Sequence, residues 1–528
     1  MELPDRVREA LGRAAVRTGL RAAGPRRTTQ ADLVDWSREH LRGRRFVVVS
    51  NRQPYSHVHT EDGIRAVRNA GGLTVALDAL TRALGGVWVA HGSGDADRDA
   101  SDVTGRVACP PGNPAYTLRR IWLDPVDHAR YYSGLSNGAL WPLCHIAFVR
   151  PRFLAEEWER YVEVNRRFAD AVLDEVGDEP AVVFLQDYHL ALVASFLRAS
   201  GRDLRIAQFW HVPWPNPEVF RILPWRRELL DGLLANDLLG FHTRAHADNF
   251  LQSVADALEA RVDGTQRAVE RAGRRTWVGD FPIGVDAEEI GALAEMPASA
   301  AGERRLRHGH GLEGTLLGLG VDRMDYTKGI PERLEALERL FEKHRRWIGR
   351  FAFVQVAAPT RIELEEYRDV RDRTVAIAER INRRFPRGGG PTVTLIERNV
   401  DFRELVPYYR AADVCAVTSL HDGMNLVAKE YVAACTDLEG ALVLSPFTGA
   451  ARELERAFIA SPFDREGMAD AFHHALSEDA ESRRARMSAL RESVLRRTVF
   501  DWAIDVLDAL EGTLLRAPAP SPREPAVR

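Results

Sequence analysis

A chain of 528 residues is too long for one hydrophobic core, and its length favours two large domains. Hydrophobic residues make up 45% and charged residues 28% of it, as in an ordinary globular protein, and no tract is apolar enough to span a bilayer. The formal net charge of -4 provides no overall positive field that would hold nucleic acid. Any phosphate must therefore be bound by a local cluster of cations.

The cysteines and the start of the chain bear on its compartment. Cys109, Cys144, Cys415 and Cys435 lie far apart and lack the CxxC spacing of zinc or redox sites. Arginines interrupt every apolar run near the start, unlike in a secretory signal. These features predict reduced thiols and a cytoplasmic protein, and they leave open whether it forms a homo-oligomer.

Residues 1–44 are rich in Arg and Ala and are predicted to form an N-terminal extension. The first strand is predicted at 46–50, a short β-branched run typical of a parallel sheet. Further strands are predicted at 181–185 and 206–210, each followed by polar residues. Helical stretches lie between the strands, for example at 153–176 and 226–238. This alternation predicts βαβ units, with functional residues just past the carboxyl ends of the strands.

A second series of strands and helices follows a low-complexity stretch, 294–302, which is predicted to be an interdomain linker. Its strands are predicted at 315–320, 351–357, 392–396, 414–418 and 441–444. The predicted fold class is α/β, with two Rossmann-like, doubly wound parallel-sheet domains facing a cleft. The predicted units are an N-terminal domain at 45–298, a C-terminal domain at 299–485, a helical region at 486–515 and a proline-rich disordered tail at 516–528.

The sequence VDRMDYTKGI at 321–330 follows a predicted strand and precedes a predicted helix. Arg323 and Lys328 both lie in this turn, and Gly329 separates the lysine from the helix. Cations and free N–H groups at a helix start can together bind a diphosphate. The alternative for this turn is surface charges paired with Asp322 and Asp325.

The sequence HDGMNLVAKEY at 421–431 also passes from a strand through a glycine into a helix. Its first turn would present backbone N–H groups to a sugar and a phosphate, and Asp422 could accept hydrogen bonds from sugar hydroxyls. Glu430, about two turns further on, could hold a ribose diol. An isolated Asp-Gly pair would instead indicate a simple turn.

The run RxDYxKG followed by DGMNLVAKEY resembles the trehalose-6-phosphate synthase family, whose members are retaining glycosyltransferases of the GT-B fold. The resemblance covers roughly residues 45–500, and other matching segments occur in the family's order. These include SNR at 50–52, AGGL at 70–73, GVW at 86–88, LWP at 140–142, DYH at 187–189, HVPWP at 211–215, LGFHT at 239–243 and Arg361.

The resemblance implies a role for each matching residue. The donor, a nucleotide diphosphate glucose and most simply UDP-glucose, would be bound by Gly72, Arg323, Lys328, Asp422, Met424, Asn425, Leu426 and Glu430. The acceptor, glucose 6-phosphate, would be bound by Arg52, Tyr132, Trp141 and Arg361, with the two arginines on its phosphate. Catalysis would involve Asp187, His211, Arg323, Lys328 and Asp422, with Asp187 and His211 contacting the transferring glucose.

Simpler interpretations stay open for single residues. Trp141 offers a flat face to a sugar, yet alone it equally fits a core tryptophan. His211 alone equally fits a hydrogen-bonded structural histidine. His242 and His246 share a helix face without an intervening glutamate, and Asp95 and Asp97 fit a solvated turn. We therefore predict no metal site and no cofactor.

The chain offers no second carboxylate suited to be a covalent nucleophile in the donor pocket. The resemblance therefore implies front-face transfer with retention, in which the departing phosphate helps to deprotonate the acceptor hydroxyl. No phosphatase-like DxDx(T/V) segment follows the transferase, so the product is expected to leave phosphorylated.

Three alternatives remain. Residues 222–226 also resemble glucosylglycerol-phosphate synthases, whose acceptor is glycerol 3-phosphate, although the matches at 50–52 and Arg361 favour glucose 6-phosphate. A non-catalytic regulatory subunit would be expected to lack Arg323, Lys328, Asp422 or Glu430, and all are present. A sugar-nucleotide epimerase would leave the acceptor residues without a purpose. One departure from the family is His421, which stands where an arginine is common.

Overall fold

The computed structural model describes residues 28–41, 43–69 and 72–515. The chain forms two large sheets, one of ten strands and one of six, together with a two-stranded hairpin. Helices cover both large sheets, which confirms the predicted α/β class. Most of the predicted N-terminal extension and the whole of the predicted tail at 516–528 lie outside the described residues.

The first sheet has the order β10-β11-β12-β9-β8-β7-β1-β4-β6-β5. Its strands from β12 to β6 run parallel, while β10, β11 and β5 add antiparallel edges that the sequence did not predict. The strands are β1 Arg45–Arg52, β4 Val87–His91, β5 Arg106–Cys109, β6 Tyr116–Ile121, β7 Ala181–Gln186, β8 Leu204–Trp210, β9 Leu238–Phe241, β10 Arg261–Asp263, β11 Ala268–Arg271 and β12 Arg274–Asp280. The hairpin pairs β2 Tyr55–Thr60 with β3 Gly63–Arg68.

The second sheet is parallel throughout, with the order β15-β14-β13-β16-β17-β18. Its strands are β13 Leu316–Arg323, β14 Phe351–Ala358, β15 Val393–Ile396, β16 Val414–Val417, β17 Ala441–Leu444 and β18 Phe458–Ile459. The five predicted strands of this series all form. The side chains of β14 are buried on both faces of the sheet. This burial explains why the sequence of the strand is almost entirely hydrophobic.

The α-helices are α1 Gln30–His40, α2 Gly72–Leu84, α3 Pro125–His128, α4 Trp141–His145, α5 Ala155–Val176, α6 Val193–Ala199, α7 Pro217–Phe220, α8 Arg226–Leu233, α9 Arg244–Ala257, α10 Ala287–Glu295, α11 Pro297–Gly309, α12 Ile330–Lys343, α13 Glu365–Arg384, α14 Phe402–Ala411, α15 Leu426–Ala434, α16 Arg465–Ser477, α17 Ala480–Arg496 and α18 Val499–Leu515. A π-helix at Ala129–Leu140 joins α3 to α4, and short 3-10 turns include Tyr326–Lys328. No helix of the described part of the chain is long and apolar enough to cross a membrane.

The structure corrects two sequence predictions. The stretch 294–302 is not an extended linker, because α10 ends at Glu295 and α11 begins at Pro297, where proline fits a first helical turn. The predicted helix at 226–238 ends at Leu233, since the chain must turn there to enter β9.

The last helix, α18, returns to the first sheet. The Trp502 ring lies 5.7 Å from the Phe184 ring on β7 and 5.2 Å from the Phe209 ring on β8. The helix thus ties the carboxyl end of the described chain to the N-terminal domain.

Candidate active site

A cavity of about 540 Å³ opens between the carboxyl ends of the two sheets. Every site residue predicted from the sequence lines it. These residues are Arg52, Gly72, Tyr132, Trp141, Asp187, His211, Arg323, Lys328, Arg361, Asp422, Met424, Asn425, Leu426 and Glu430. The strand ends explain this convergence, because functional side chains of parallel α/β sheets follow the carboxyl ends of strands.

The turn after β13 forms one part of the cavity wall. Arg323 ends the strand, a 3-10 turn carries Lys328, and α12 starts at Ile330. Gly329 has a φ of 62°, and a Cβ atom there would lie 2.3 Å from the Thr418 carbonyl oxygen, so the turn requires glycine.

The fully buried Arg333 on α12 braces this turn. Its guanidinium lies 2.6 Å from the Asp322 carboxylate and donates to Thr418 and Gln355. Asp322 therefore pairs with Arg333, whereas Asp325 does lie 3.5 Å from Arg323, as the alternative for this turn expected.

Lys328 points across to the second loop. Its Nζ donates to Asp422 Oδ2 at 2.5 Å, and Asn425 Nδ2 donates to the same oxygen at 3.1 Å. Burial opposes ionisation of Asp422, but the Lys328 charge outweighs it and lowers the pKa of Asp422 to about 2. A lysine cation and an Asp422 carboxylate thus face the cavity as a pair.

The rest of this loop leads into α15. Asn425 has a φ of 76°, and its side chain accepts from the Ala428 N–H at 3.4 Å, capping the helix. Met424 is buried. Glu430 accepts a hydrogen bond from Tyr409 at 2.8 Å, and burial raises the pKa of Glu430.

Gly72 approaches this wall from the other domain. A Cβ atom at Gly72 would lie 2.6 Å from Leu426 Cδ1 and 3.3 Å from Glu430 Oε1. A larger residue at position 72 would therefore displace Leu426.

The opposite wall is built from rings and guanidinium groups. The Arg361 guanidinium lies 4.4 Å from the Trp141 ring centroid, and the Arg323 guanidinium lies 5.1 Å from it. Arg361 also donates to the Tyr367 hydroxyl, and its own backbone has a φ of 48°. The Trp141 ring thus lines the cavity, but in this structure the guanidinium groups of Arg323 and Arg361 lie over it where a sugar would pack.

Tyr132 lies in the π-helix, an element often found at functional sites. Arg52 Nη2 donates to its hydroxyl at 3.3 Å. Burial would raise the pKa of Tyr132, but the charges of Arg52, Arg361 and Arg323 lower it to about 7.

Asp187 follows β7 with a φ of 70° and accepts the backbone N–H of His211 at 3.0 Å. Burial raises the pKa of Asp187 to about 6, although backbone N–H groups and Arg323 oppose the shift. Burial lowers the pKa of His211 to about 3, so its imidazole is neutral. The His211 ring contacts Gln186 Oε1 at 2.9 Å and His242 Nε2 at 3.3 Å, which leaves both ring nitrogens occupied.

The described residues contain no group of three or more His, Cys, Asp or Glu that could hold a metal ion. Asp97 is wrongly predicted to be solvated, because it is fully buried and pairs with Arg120 at 3.0 Å. His421, the departure from the family, lies with its Nδ1 2.9 Å from the His145 carbonyl oxygen of the other domain.

Sequence reasoning missed several residues of the cavity region. Arg68 on β3 and His145 on α4 line the cavity, while Asp325 and Tyr367 hold its arginines. Asp325 lies within the recognised turn and could have been singled out as a buried acid between arginines. Nothing in the sequence places Tyr367 against Arg361.

Two parallel-sheet domains around a cavity with cationic and aromatic walls define a nucleotide-sugar-dependent glycosyltransferase. Comparison with known proteins gives the family. The sequence model of glycosyltransferase family 20 matches residues 44–512, and the chain belongs to that family.

Individual proteins similar to this chain agree with the family assignment. The trehalose-6-phosphate synthase of Mycolicibacterium gilvum is 42% identical over 473 residues, which cover 88% of this chain and 93% of that protein. A UDP-forming alpha,alpha-trehalose-phosphate synthase from Burkholderia xenovorans, solved with glucose-6-phosphate, is 32% identical with a TM-score of 0.79 and covers 88% of this chain and 99% of that one. An E. coli structure bound with UDP-2-fluoro glucose is 32% identical with a TM-score of 0.78, covering 88% and 99%.

Proposed function

We propose that this protein transfers the glucosyl group of UDP-glucose to glucose 6-phosphate with retention, giving trehalose 6-phosphate and UDP. The observation that carries this proposal is a single cavity with cations for two separate phosphate groups. Arg323 and Lys328 come from one loop, and Arg52 and Arg361 come from elsewhere in the chain. Relatives solved with glucose-6-phosphate and with UDP-2-fluoro glucose support the choice of substrates.

The donor is assigned to the Lys328 wall. Arg323 and Lys328 bind the diphosphate, with the N–H groups at the start of α15 beside them. Glu430 accepts hydrogen bonds from the ribose, and Asp422, Met424, Asn425 and Leu426 bind the sugar and phosphate. Asp187 and His211 contact the glucosyl group from the N-terminal domain.

The acceptor is assigned to the aromatic wall. Arg52 and Arg361 are guanidinium forks that suit a phosphate monoester. Tyr132 and Trp141 pack against the acceptor sugar once Arg361 turns to the phosphate. The enzyme acts in the cytoplasm, and its four buried free cysteines support that location.

Front-face transfer accounts for retention. The bond from the donor C1 to the diphosphate oxygen breaks, and its electron pair stays on that oxygen. Arg323 and Lys328 stabilise this charge as it develops. The acceptor's anomeric oxygen bonds to C1 on the same face, and its proton passes to the departing phosphate. A covalent glycosyl ester on a carboxylate such as Asp187, detected by mass spectrometry of the enzyme incubated with UDP-glucose, would refute this mechanism.

The activity is tested by measuring UDP release from UDP-glucose with three additions: glucose 6-phosphate, glycerol 3-phosphate and buffer. We expect rapid release with glucose 6-phosphate alone. Release with glycerol 3-phosphate alone would identify a glucosylglycerol-phosphate synthase. Release in buffer at a similar rate would point to hydrolysis, and no release under any condition would favour the regulatory subunit or an epimerase.

A further inference from the structure

Asp325 is a fully buried acid two residues beyond the end of β13. Its two carboxylate oxygens have different partners. Oδ1 accepts the backbone N–H and the hydroxyl of Thr327, both at 3.0 Å, and so caps the 3-10 turn. Oδ2 lies 3.5 Å from Arg323 Nη2 and 3.4 Å from Arg361 Nη1.

The two arginines that share Oδ2 belong to different halves of the proposed reaction. Arg323 is assigned to the donor diphosphate, and Arg361 is assigned to the acceptor phosphate. Both guanidinium groups also lie over Trp141. Two cations this close, the buried Arg361 and the partly exposed Arg323, repel each other, and a carboxylate between them offsets that repulsion while fixing their direction.

We propose that Asp325 is a positioning residue that holds the donor arginine and the acceptor arginine in register, so that the two phosphates are bound with the acceptor oxygen beside the donor C1. This inference rests on the proposed function. Burial opposes ionisation of Asp325, but Arg323 and Arg361 outweigh it and lower its pKa, so the carboxylate is charged at neutral pH.

Substitution by asparagine separates the two tasks of this side chain. The amide of asparagine keeps a carbonyl oxygen that can accept from Thr327. It presents an NH2 group to the arginines, and an NH2 group cannot accept a hydrogen bond from a guanidinium. Asp325→Asn should therefore preserve the turn and release both guanidinium groups. Thr327→Val is the matched control, because it removes one hydrogen bond to Oδ1 and leaves Oδ2 unchanged.

The experiment measures kcat, both KM values and the unfolding temperature for the wild type, Asp325→Asn and Thr327→Val. For Asp325→Asn we expect kcat to fall about 10- to 100-fold, because the carboxylate no longer directs the two arginines, and the unfolding temperature to fall, because their repulsion is no longer offset. Thr327→Val should lower the unfolding temperature and change kcat less than about threefold.

A third variant tests the link between the two substrates. The Tyr367 hydroxyl accepts a hydrogen bond from Arg361, so Tyr367→Phe should raise the KM for glucose 6-phosphate and leave the KM for UDP-glucose unchanged. Asp325→Asn should affect the use of both substrates.

Three results would overturn the inference: Asp325→Asn with kcat within twofold of wild type, an equal loss of kcat in Thr327→Val, or failure of Asp325→Asn to fold, which would make the carboxylate a structural counter-charge and not a positioning residue. A wild-type enzyme without transferase activity would instead contradict the proposed function. In that case, UDP and glucose 6-phosphate titrations by calorimetry still test Asp325, since weakened binding of both ligands in Asp325→Asn is expected and unchanged binding overturns it.

Discussion

The two walls of the cavity are built in different ways. The donor wall comes from two short continuous segments, 321–330 and 421–430, whose cations already have carboxylate partners such as Asp422 and Asp325. The acceptor wall is assembled from Arg52, Tyr132, Trp141 and Arg361, which belong to three separate parts of the chain, with Tyr132 and Trp141 on adjoining helices.

This contrast has a physical consequence. On the donor wall, an ion pair with low exposure sets the geometry before a ligand arrives, since Lys328 and Asp422 are 12% and 14% exposed. On the acceptor wall, Arg361 shares the Asp325 carboxylate with Arg323, and the remaining contacts between rings and guanidinium groups are weaker and less directional. We therefore expect substitutions in the donor wall to reduce chemistry, and substitutions in the acceptor wall to reduce acceptor affinity.

The largest effect should come from Lys328→Ala. It removes the charge that stabilises the leaving diphosphate and leaves Asp422 as a buried, unpaired acid, so kcat should fall about 100- to 1000-fold. The measurement is steady-state UDP release. Lys343→Ala is the control, because Lys343 pairs with Asp470 on the surface of α12 and should keep wild-type kinetics. Equal losses in both variants would contradict the donor assignment.

Arg361→Gln should act mainly through the acceptor. Loss of one guanidinium fork is expected to lower kcat/KM for glucose 6-phosphate about 10- to 100-fold while the KM for UDP-glucose changes little. Arg371→Gln, which removes an exposed pair with Glu397, serves as the control. A higher KM for UDP-glucose alone would contradict the assignment of Arg361 to the acceptor.

The Asp187 carboxyl predicts an acid limb in the pH profile. Its pKa is raised to about 6, so the carboxylate that accepts hydrogen bonds is present above pH 6 and is lost below it. We expect kcat/KM for UDP-glucose to fall up to about tenfold per pH unit below that point. In Asp187→Asn, kcat/KM for UDP-glucose should be lower and should depend less on pH below pH 6. An unchanged acid limb in this variant would show that another group titrates.

Tyr132 predicts a smaller effect at higher pH. Because its pKa is lowered to about 7, the phenol is neutral below pH 7 and becomes a phenolate above it. A phenolate repels the acceptor phosphate and competes for Arg52, so the KM for glucose 6-phosphate should rise about threefold between pH 6 and 8. In Tyr132→Phe the phosphate of glucose 6-phosphate still titrates but the phenol is absent. The KM for glucose 6-phosphate should therefore rise less with pH in this variant. A parallel rise in both enzymes would contradict the prediction.

The same contrast explains what the sequence could predict. The donor loops are continuous strand–turn–helix segments, so their residues and local geometry follow from a short pattern with Gly329 at the required positive φ. The strands of the second sheet are mostly apolar runs, which the sequence also predicts from a short pattern.

Contacts between distant segments were not predictable. Asp97 fits a solvated turn until β6 brings Arg120 against it. Occupation of both His211 ring nitrogens depends on Gln186 and His242 from neighbouring strands. The stretch 294–302 has a linker-like composition, yet its alanines and Pro297 also suit a helix, and packing decides between them.

The most direct test of the account is a crystal structure of the protein with UDP-glucose or a non-transferable analogue. The account predicts that the diphosphate lies within hydrogen-bond distance of both Arg323 Nη and Lys328 Nζ, with the glucosyl group toward Asp187. A diphosphate bound elsewhere, with Lys328 still paired only to Asp422, would contradict it.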